Sequence, residues 1–190
     1  MRNLYRSFLM LAAAAPLAAQ SAQMQAAPPP AAVAPAVGEV APDFTLPWAD
    51  GQGTKAQPLT LSKLRGQVVV LAFYPADFSG GCTIEMSKFR DEYKTMFGDG
   101  VTVIPISHDS LVTHTRWVND KNFPFSLATD TTGAVAKQYA SLNAARPNYF
   151  SRTVYVIGKD GKIAWASQRF NANAQTGYDD LAAAVAAAKK

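Results

Sequence analysis

The sequence holds a single cysteine, Cys82, and its setting defines the chemistry open to it. Ahead of it, Val68-Val69-Val70-Leu71-Ala72-Phe73-Tyr74 is a continuous apolar, largely β-branched run, as expected of a strand buried on both faces. Pro75 ends that run. After it, Ile84, Phe89, Tyr93 and Phe97 recur at helical spacing, with Gly98 as a stop, so one amphipathic helix is predicted from Cys82 to Phe97. Cys82 then falls where a loop becomes the first turn of a helix. Unpaired backbone N–H groups and a partial positive charge at such a terminus favour the thiolate, the form of sulfur that attacks. Gly80 and Gly81 just before it let the backbone approach a small ligand closely. The chemistry indicated is that of a nucleophilic sulfur. A lone cysteine is more often a small buried hydrophobe, but this placement favours a reactive one. Exchange through Cys-x-x-Cys is excluded, because Glu85 stands where the second sulfur would be, and a chain with one cysteine forms no internal disulfide.

The elements that must position this sulfur follow an alternating order. Val101 to Ile106 reads as a strand whose Pro105 suggests an edge or an irregular position. Asp109 or Ser110 can cap a helix carrying Leu111, Trp117 and Val118 on its apolar side. A short extended piece at 125–128 and one or two helical turns at 133–139 come next. Two strands then flank Gly158-Lys159-Asp160-Gly161, a strong hairpin signal. An Ala-rich helix from Asp179 to Lys190 closes the chain, acids at its start and lysines at its end, as the helix dipole prefers. This order predicts an α/β, thioredoxin-like fold: a central mixed β-sheet flanked by helices, with an N-terminal strand or hairpin extension at 41–46. Trp48, Trp117 and Trp165 are expected in the core or at its edge.

The first residues read differently. Arg2 and Arg6 are the only charges before Glu39; an apolar run from Phe8 to Leu17 and the small residues Ala18 and Ala19 follow. This is the layout of a secretory signal peptide, and the run is about half the ~20 residues that a membrane span requires. The expected organisation is a signal peptide over 1–22, a Pro/Ala-rich disordered linker over 23–37 and one domain over 38–190. The mature protein would be secreted across the inner membrane into the periplasm, with no stable membrane association after cleavage. Loss of the two arginines takes the formal charge from +4 to about +2, and no basic block remains, which argues against nucleic acid as a partner. His108 and His114 lack the spaced Cys, His or carboxylate companions of a metal site, and no cofactor is indicated. Neither histidine is needed as a base for a sulfur that the helix terminus already activates.

Pro75, Ser79 and Cys82 match the peroxiredoxin motif Pro-x-x-x-(Thr/Ser)-x-x-Cys at full spacing. Ala41-Pro42-Asp43-Phe44-Thr45-Leu46, Leu61-Ser62-Lys63-Leu64-Arg65-Gly66, Ile106-Ser107-His108-Asp109-Ser110, Trp117, Phe123-Pro124-Phe125 and Arg152-Thr153-Val154 also resemble that family, in order. From Val37 onward the chain is most similar to the bacterioferritin-comigratory-protein (Q) subgroup. The resemblance implies a thiol-dependent peroxidase acting on hydrogen peroxide and organic hydroperoxides. In that reading Cys82 is the nucleophile that becomes a sulfenic acid. Ser79 hydrogen-bonds the peroxide, Pro75 shields the thiolate, Arg152 keeps it ionised and stabilises charge as the O–O bond breaks, and Glu85 orients Arg152. Two departures stand out. Gly80 occupies a place where the family commonly has Pro, and Ser87 stands where the subgroup often carries a resolving cysteine. The resemblance is therefore to a one-cysteine form, reduced by an external thiol or a thioredoxin-like protein, and either a monomer or a homodimer.

Plainer readings exist for the same residues. Ser79 can be a helix cap, Arg152 a surface residue opening a strand, and Glu85 an acid favoured near a helix start. The rival function is a non-enzymatic thioredoxin-fold module, or a peroxide sensor using the one reactive cysteine.

Overall fold

The computed structural model describes residues 32–190; the proposed signal peptide and most of the linker lie outside them. Among the described residues there are nine strands: β1 (Thr45–Leu46), β2 (Trp48–Asp50), β3 (Gly53–Thr54), β4 (Leu59–Thr60), β5 (Val68–Phe73), β6 (Val101–Ser107), β7 (Leu127–Thr129), β8 (Thr153–Ile157) and β9 (Ile163–Ser167). The helices are α1 (Gly80–Asp91), α2 (Tyr93–Met96), α3 (Leu111–Lys121), α4 (Ala134–Gln138) and α5 (Gln175–Ala188), with a 3₁₀ turn at Leu61–Leu64.

Seven strands form one mixed sheet in the order β3-β2-β7-β6-β5-β8-β9, and β1 pairs with β4 beside it. β5 runs parallel to β6, and β6 to β7, while β8 joins β5 antiparallel. Every residue of β5 is buried, as its apolar run requires. Its side chains alternate between two cores. Val68, Val70, Ala72 and Tyr74 pack with Met86 and Phe89 of α1, Trp117 of α3 and Leu181 of α5. Val69, Leu71 and Phe73 face Ala136 of α4, Tyr139 and the N-terminal Phe44 and Leu46. Trp117 is fully buried, and Trp48 and Trp165 pack partly buried at the edges of the two cores.

Three local expectations are corrected. Pro105 lies in a central strand, not at an edge. Tyr74 N donates to Ile106 O on the β5 side and Asp130 N to Ser107 O on the β7 side, so the alternating backbone of Pro105 faces β7. The β6–β7 ladder starts only at Ile106, so the missing N–H of proline leaves no pairing unmade. The long helix predicted from 82 to 97 starts earlier, at Gly80, and is divided at Glu92 (φ −105°, ψ 18°). Beyond that division Tyr93 stacks on Phe125 at 6.2 Å and Phe97 meets Phe89 edge-on at 5.3 Å. Finally, α5 begins at Gln175, so Asp179 and Asp180 lie beyond its first turn and the expected acid-first arrangement is absent. Tyr178, buried on its first turn, explains the extension.

The hairpin signal holds: Gly158 N donates to Lys162 O, Gly161 N to Gly158 O, and Gly161 takes φ +76°. Ser110 caps α3, its hydroxyl accepting from Thr113 N. Among the described residues no helix is long and apolar enough to cross a membrane.

Candidate active site

The sheet register brings the chemistry together. Phe73 at the end of β5 pairs with Thr153 at the start of β8, so Arg152 enters the sheet beside Tyr74 and Pro75. The loop before it is closed by a bridge between Leu142 and Phe150, by Ser151 N donating to Ser141 O, and by the Ser141–Thr153 hydroxyl pair. Phe170 N then donates to Arg152 O at 3.0 Å, fixing the backbone that carries the guanidinium.

Cys82 is the third residue of α1 and is fully buried. Arg152 Nη2 donates to Cys82 Sγ at 3.4 Å, and Arg152 Nη1 is hydrogen-bonded to Glu85 Oε2. One guanidinium therefore bridges two groups a helical turn apart. Glu85, the sixth residue of α1, is buried, so its place near a helix start does not account for it. Its second oxygen, Oε1, has no hydrogen-bond partner among the described residues. Burial pushes the Glu85 carboxyl up to about 7 against the opposing pull of Arg152. Gly81 packs close to this pair: a Cβ there would lie 3.2 Å from Arg152 Nη2, so the guanidinium would have to shift by a few tenths of an ångström to admit one.

Ser79 is positioned as the N-cap of α1, yet its side chain does not cap the helix. Its hydroxyl donates to Ala76 O at 3.0 Å, within the same loop. Pro75, Gly81 and Arg152 line one cleft of about 510 Å³. All five residues singled out in the sequence thus lie on this loop, the first turns of α1 and the start of β8. Ser87 lies in an adjoining cleft, with Ile84 and Lys88. His108 packs edge-on to Phe150 at 6.4 Å.

A positively charged fork thus contacts the only cysteine of the sequence, at the N-terminus of a helix that follows a buried strand. Residues 37–166 match the AhpC/TSA family. The chain belongs to the AhpC/TSA family. It is 37% identical over 133 residues to a putative peroxiredoxin bcp of Coxiella burnetii, covering 67% of this chain and 85% of that one. It is 35% identical over 128 residues to the chloroplastic peroxiredoxin Q of Triticum aestivum, covering 67% of this chain but only 57% of the plant protein. Among solved structures it is similar to the peroxidoxin BcpB of Mycobacterium tuberculosis, with a TM-score of 0.69, 28% identity and coverage of 82% and 99%. The fold and the peroxiredoxin assignment expected from the sequence both hold, and the relatives are thiol peroxidases.

Within this peroxiredoxin the sequence reading missed one cluster. Asp77, in the loop ahead of Cys82, is buried; its Oδ1 accepts from Tyr74 Oη at 2.6 Å and its Oδ2 shares a hydrogen bond with His114 Nδ1 at 2.8 Å. Asp77 N donates to Asp109 Oδ2 at 2.9 Å, and Ser107 Oγ donates to the same oxygen at 2.8 Å. Burial and the Asp77 charge hold the Tyr74 phenol well above its ordinary range, so it remains a donor. The cluster pins the loop immediately ahead of Phe78, which takes φ +57°. A bulky residue there costs about 1–3 kcal/mol and persists only when its surroundings hold it. A signal for the cluster existed: parallel β5 and β6 end side by side, so the loops that follow them, carrying Asp77 and Asp109, had to meet.

Proposed function

We propose that Cys82 is the peroxidatic nucleophile of a one-cysteine thiol peroxidase acting on hydrogen peroxide and organic hydroperoxides. The observation that carries this reading is the Arg152 guanidinium, donating to Cys82 Sγ at 3.4 Å while held by Glu85. The thiolate attacks one peroxide oxygen as the O–O bond breaks. The products are Cys82–SOH and an alkoxide or hydroxide, which takes a proton and leaves as alcohol or water. Arg152 stabilises the charge passing from sulfur to the departing oxygen. Ser79, on the same loop, offers its hydroxyl to the peroxide, Pro75 shields the sulfur from water, and Glu85 is a positioning residue acting through Arg152. With one cysteine in the chain, an external thiol completes the cycle. A first thiol forms a mixed disulfide with loss of water, and a second releases Cys82–SH and a disulfide product.

The N-terminal layout supports a mature enzyme exported to the periplasm, with the signal peptide over 1–22 removed. N-terminal sequencing of protein from the periplasmic fraction would read a start near residue 20 or 23, and retention of Met1 would refute export by this route. No observation favours the non-enzymatic reading. The deciding experiment is stopped-flow tryptophan fluorescence with intact mass after one equivalent of hydrogen peroxide. Rapid gain of one oxygen, absent in Cys82→Ser, and repeated turnover with added thiol are expected. Oxidation no faster than that of a free thiol in solution would overturn the reading.

A further inference from the structure

Hydrogen peroxide needs no large cavity, yet the cleft beside Cys82 measures about 510 Å³, within the range of small-molecule sites. From Pro75, Gly81 and Arg152 it extends past Phe170 to Arg169, Asn171, Asn173 and Asn143. No acidic residue lines it. Arg169 forms no ion pair or side-chain hydrogen bond among the described residues.

The amides of the cleft are oriented by their backbone contacts. Asn143 Oδ1 accepts from Ala145 N and Arg146 N, and Asn171 Oδ1 accepts from Asn173 N. Their oxygens are occupied, which turns the NH₂ groups into the remaining capacity of both side chains. Gln168 also spends a donor, giving Nε2–H to Tyr155 Oη at 2.7 Å. The lining that remains is rich in donors: the Arg169 guanidinium and the Asn143 and Asn171 NH₂ groups, with no carboxylate on the lining, while Arg152 is already engaged by Glu85 and Cys82. Donors of this kind suit a carboxylate, which accepts at both oxygens. α1 adds to the bias, since it opens onto the cleft at Gly81 with no acidic residue in its first turn.

We infer that this cleft seats the reductant, a small thiol bearing a carboxylate, with Arg169 and Asn171 holding the carboxylate while its sulfur reaches Cys82–SOH at the Arg152 end. This rests on the peroxidase reading above. The step balances as that reading requires: the thiol sulfur bonds to Sγ, the S–O bond breaks, and the hydroxyl leaves as water with the thiol proton. A small molecule is favoured over a protein reductant because Cys82 is fully buried and adjoins the cleft only through Gly81 and Arg152, which line it.

The test oxidises Cys82 with one equivalent of hydrogen peroxide and then mixes it with 3-mercaptopropionate, 2-mercaptoethanol or cysteamine. Each rate is divided by the same thiol's rate with a small free disulfide, which removes intrinsic reactivity, and by the first-step rate of the same variant. 3-Mercaptopropionate is expected to be fastest and cysteamine slowest. Arg169→Glu should lower the 3-mercaptopropionate rate roughly fivefold, the reach of an exposed charge pair, and raise the cysteamine rate. Arg169→Lys should largely restore the order, Asn171→Asp should shift it as Arg169→Glu does, and added salt should flatten it. A normal first step followed by charge-blind normalised rates in every variant overturns the inference alone. So does reduction only by a dithiol protein, or an effect of Arg169→Glu confined to oxidation by a carboxylate-bearing hydroperoxide. Failure of Cys82 to gain oxygen in the first mix overturns the peroxidase reading and this inference together.

Discussion

Two buried carboxylates flank Cys82, and they are built differently. Asp77, before it, has both oxygens paired, to Tyr74 and His114, and its own N–H is held by Asp109. Glu85, after it, has one oxygen on Arg152 and the other without a partner among the described residues. Asp77 is surrounded by groups that fix the shape of a loop and touch no sulfur. Glu85 shares its single cation with the sulfur itself. A carboxylate with both oxygens paired resists change, because its loss strands buried partners, although His114 Nε2 in the Asp77 cluster has no partner among the described residues. One with an unpaired oxygen can gain a proton or yield its cation. The structural half of the site therefore lies on the α3 side of the loop, and the chemical half on the β8 side.

The largest test of this division is Arg152→Ala. Removing a preorganised donor from a developing charge costs about 10²–10³ in rate, and that loss is expected in the oxidation of Cys82 by hydrogen peroxide, read by stopped flow. The stability cost should be less than the ~3–5 kcal/mol typical of a broken buried pair, because Glu85, already pushed up to about 7, can take a proton instead. A rate change below tenfold would place the chemistry elsewhere.

The opposite balance is expected on the other side. Asp77→Ala leaves Tyr74 and His114 buried without their acceptor, a loss of about 1–3 kcal/mol for each stranded group. It also frees Phe78, which is 47% exposed and held at φ +57°. Denaturant melts should show a fall of roughly 3 kcal/mol, and hydrogen exchange should rise across 75–80. Oxidation of Cys82 should slow less than in Arg152→Ala. If Asp77→Ala abolishes oxidation with a native melting curve, the Asp77 cluster is chemical and the contrast is wrong.

What the sequence disclosed divides along the same line. Cys82, Pro75 and Ser79 were legible because they share one short segment and a fixed spacing. Arg152 is 70 residues from Cys82 in the chain and joins it only through the β5–β8 register, so the residues alone named it through family resemblance and not through spacing. His114 looked like an isolated histidine because its partner lies 37 residues away in a loop. The burial of Glu85 was hidden for a similar reason: a carboxylate one turn into a helix reads as solvated until the strand opposite supplies a cation. Chain order showed the sheet well, since β-branched runs and turn residues act locally. Pro105 misled because an edge is defined by what a neighbouring strand leaves unpaired, which is a property of β7.

Glu85 sharpens the comparison through pH. Its folded pKa of about 7 lies above its ordinary 4.5, so between those values the folded state binds more protons than the unfolded chain. The associated stability is present in full below about 4.5 and is lost as pH rises through about 7, at most roughly 3 kcal/mol. The melting temperature should therefore decline between pH 5 and 8 more steeply in the native protein than in Glu85→Gln, in which this contribution is absent. Parallel curves for the two proteins would mean that Glu85 stays ionised throughout, paired as firmly as Asp77.

The smallest expected effect tests whether the loop is held by its anchors or by its own backbone. Gly80 is the first residue of α1, where proline is well accommodated because that N–H has no helical partner. A Cβ at Gly80 meets nothing within 4 Å, and the preceding Ser79, at φ −72° and ψ 148°, already has the extended conformation that proline demands of its neighbour. Gly80→Pro should stabilise by about 0.4–1 kcal/mol, chiefly by restricting the unfolded chain, measured as a higher denaturation midpoint at unchanged slope. Combined with Asp77→Ala, it should lower the raised hydrogen exchange across 75–80 only slightly, because the anchors and not the backbone hold Phe78. Full recovery of native exchange in the double variant would reverse that order and make the glycine, rather than the lost carboxylate, the source of the loop's freedom.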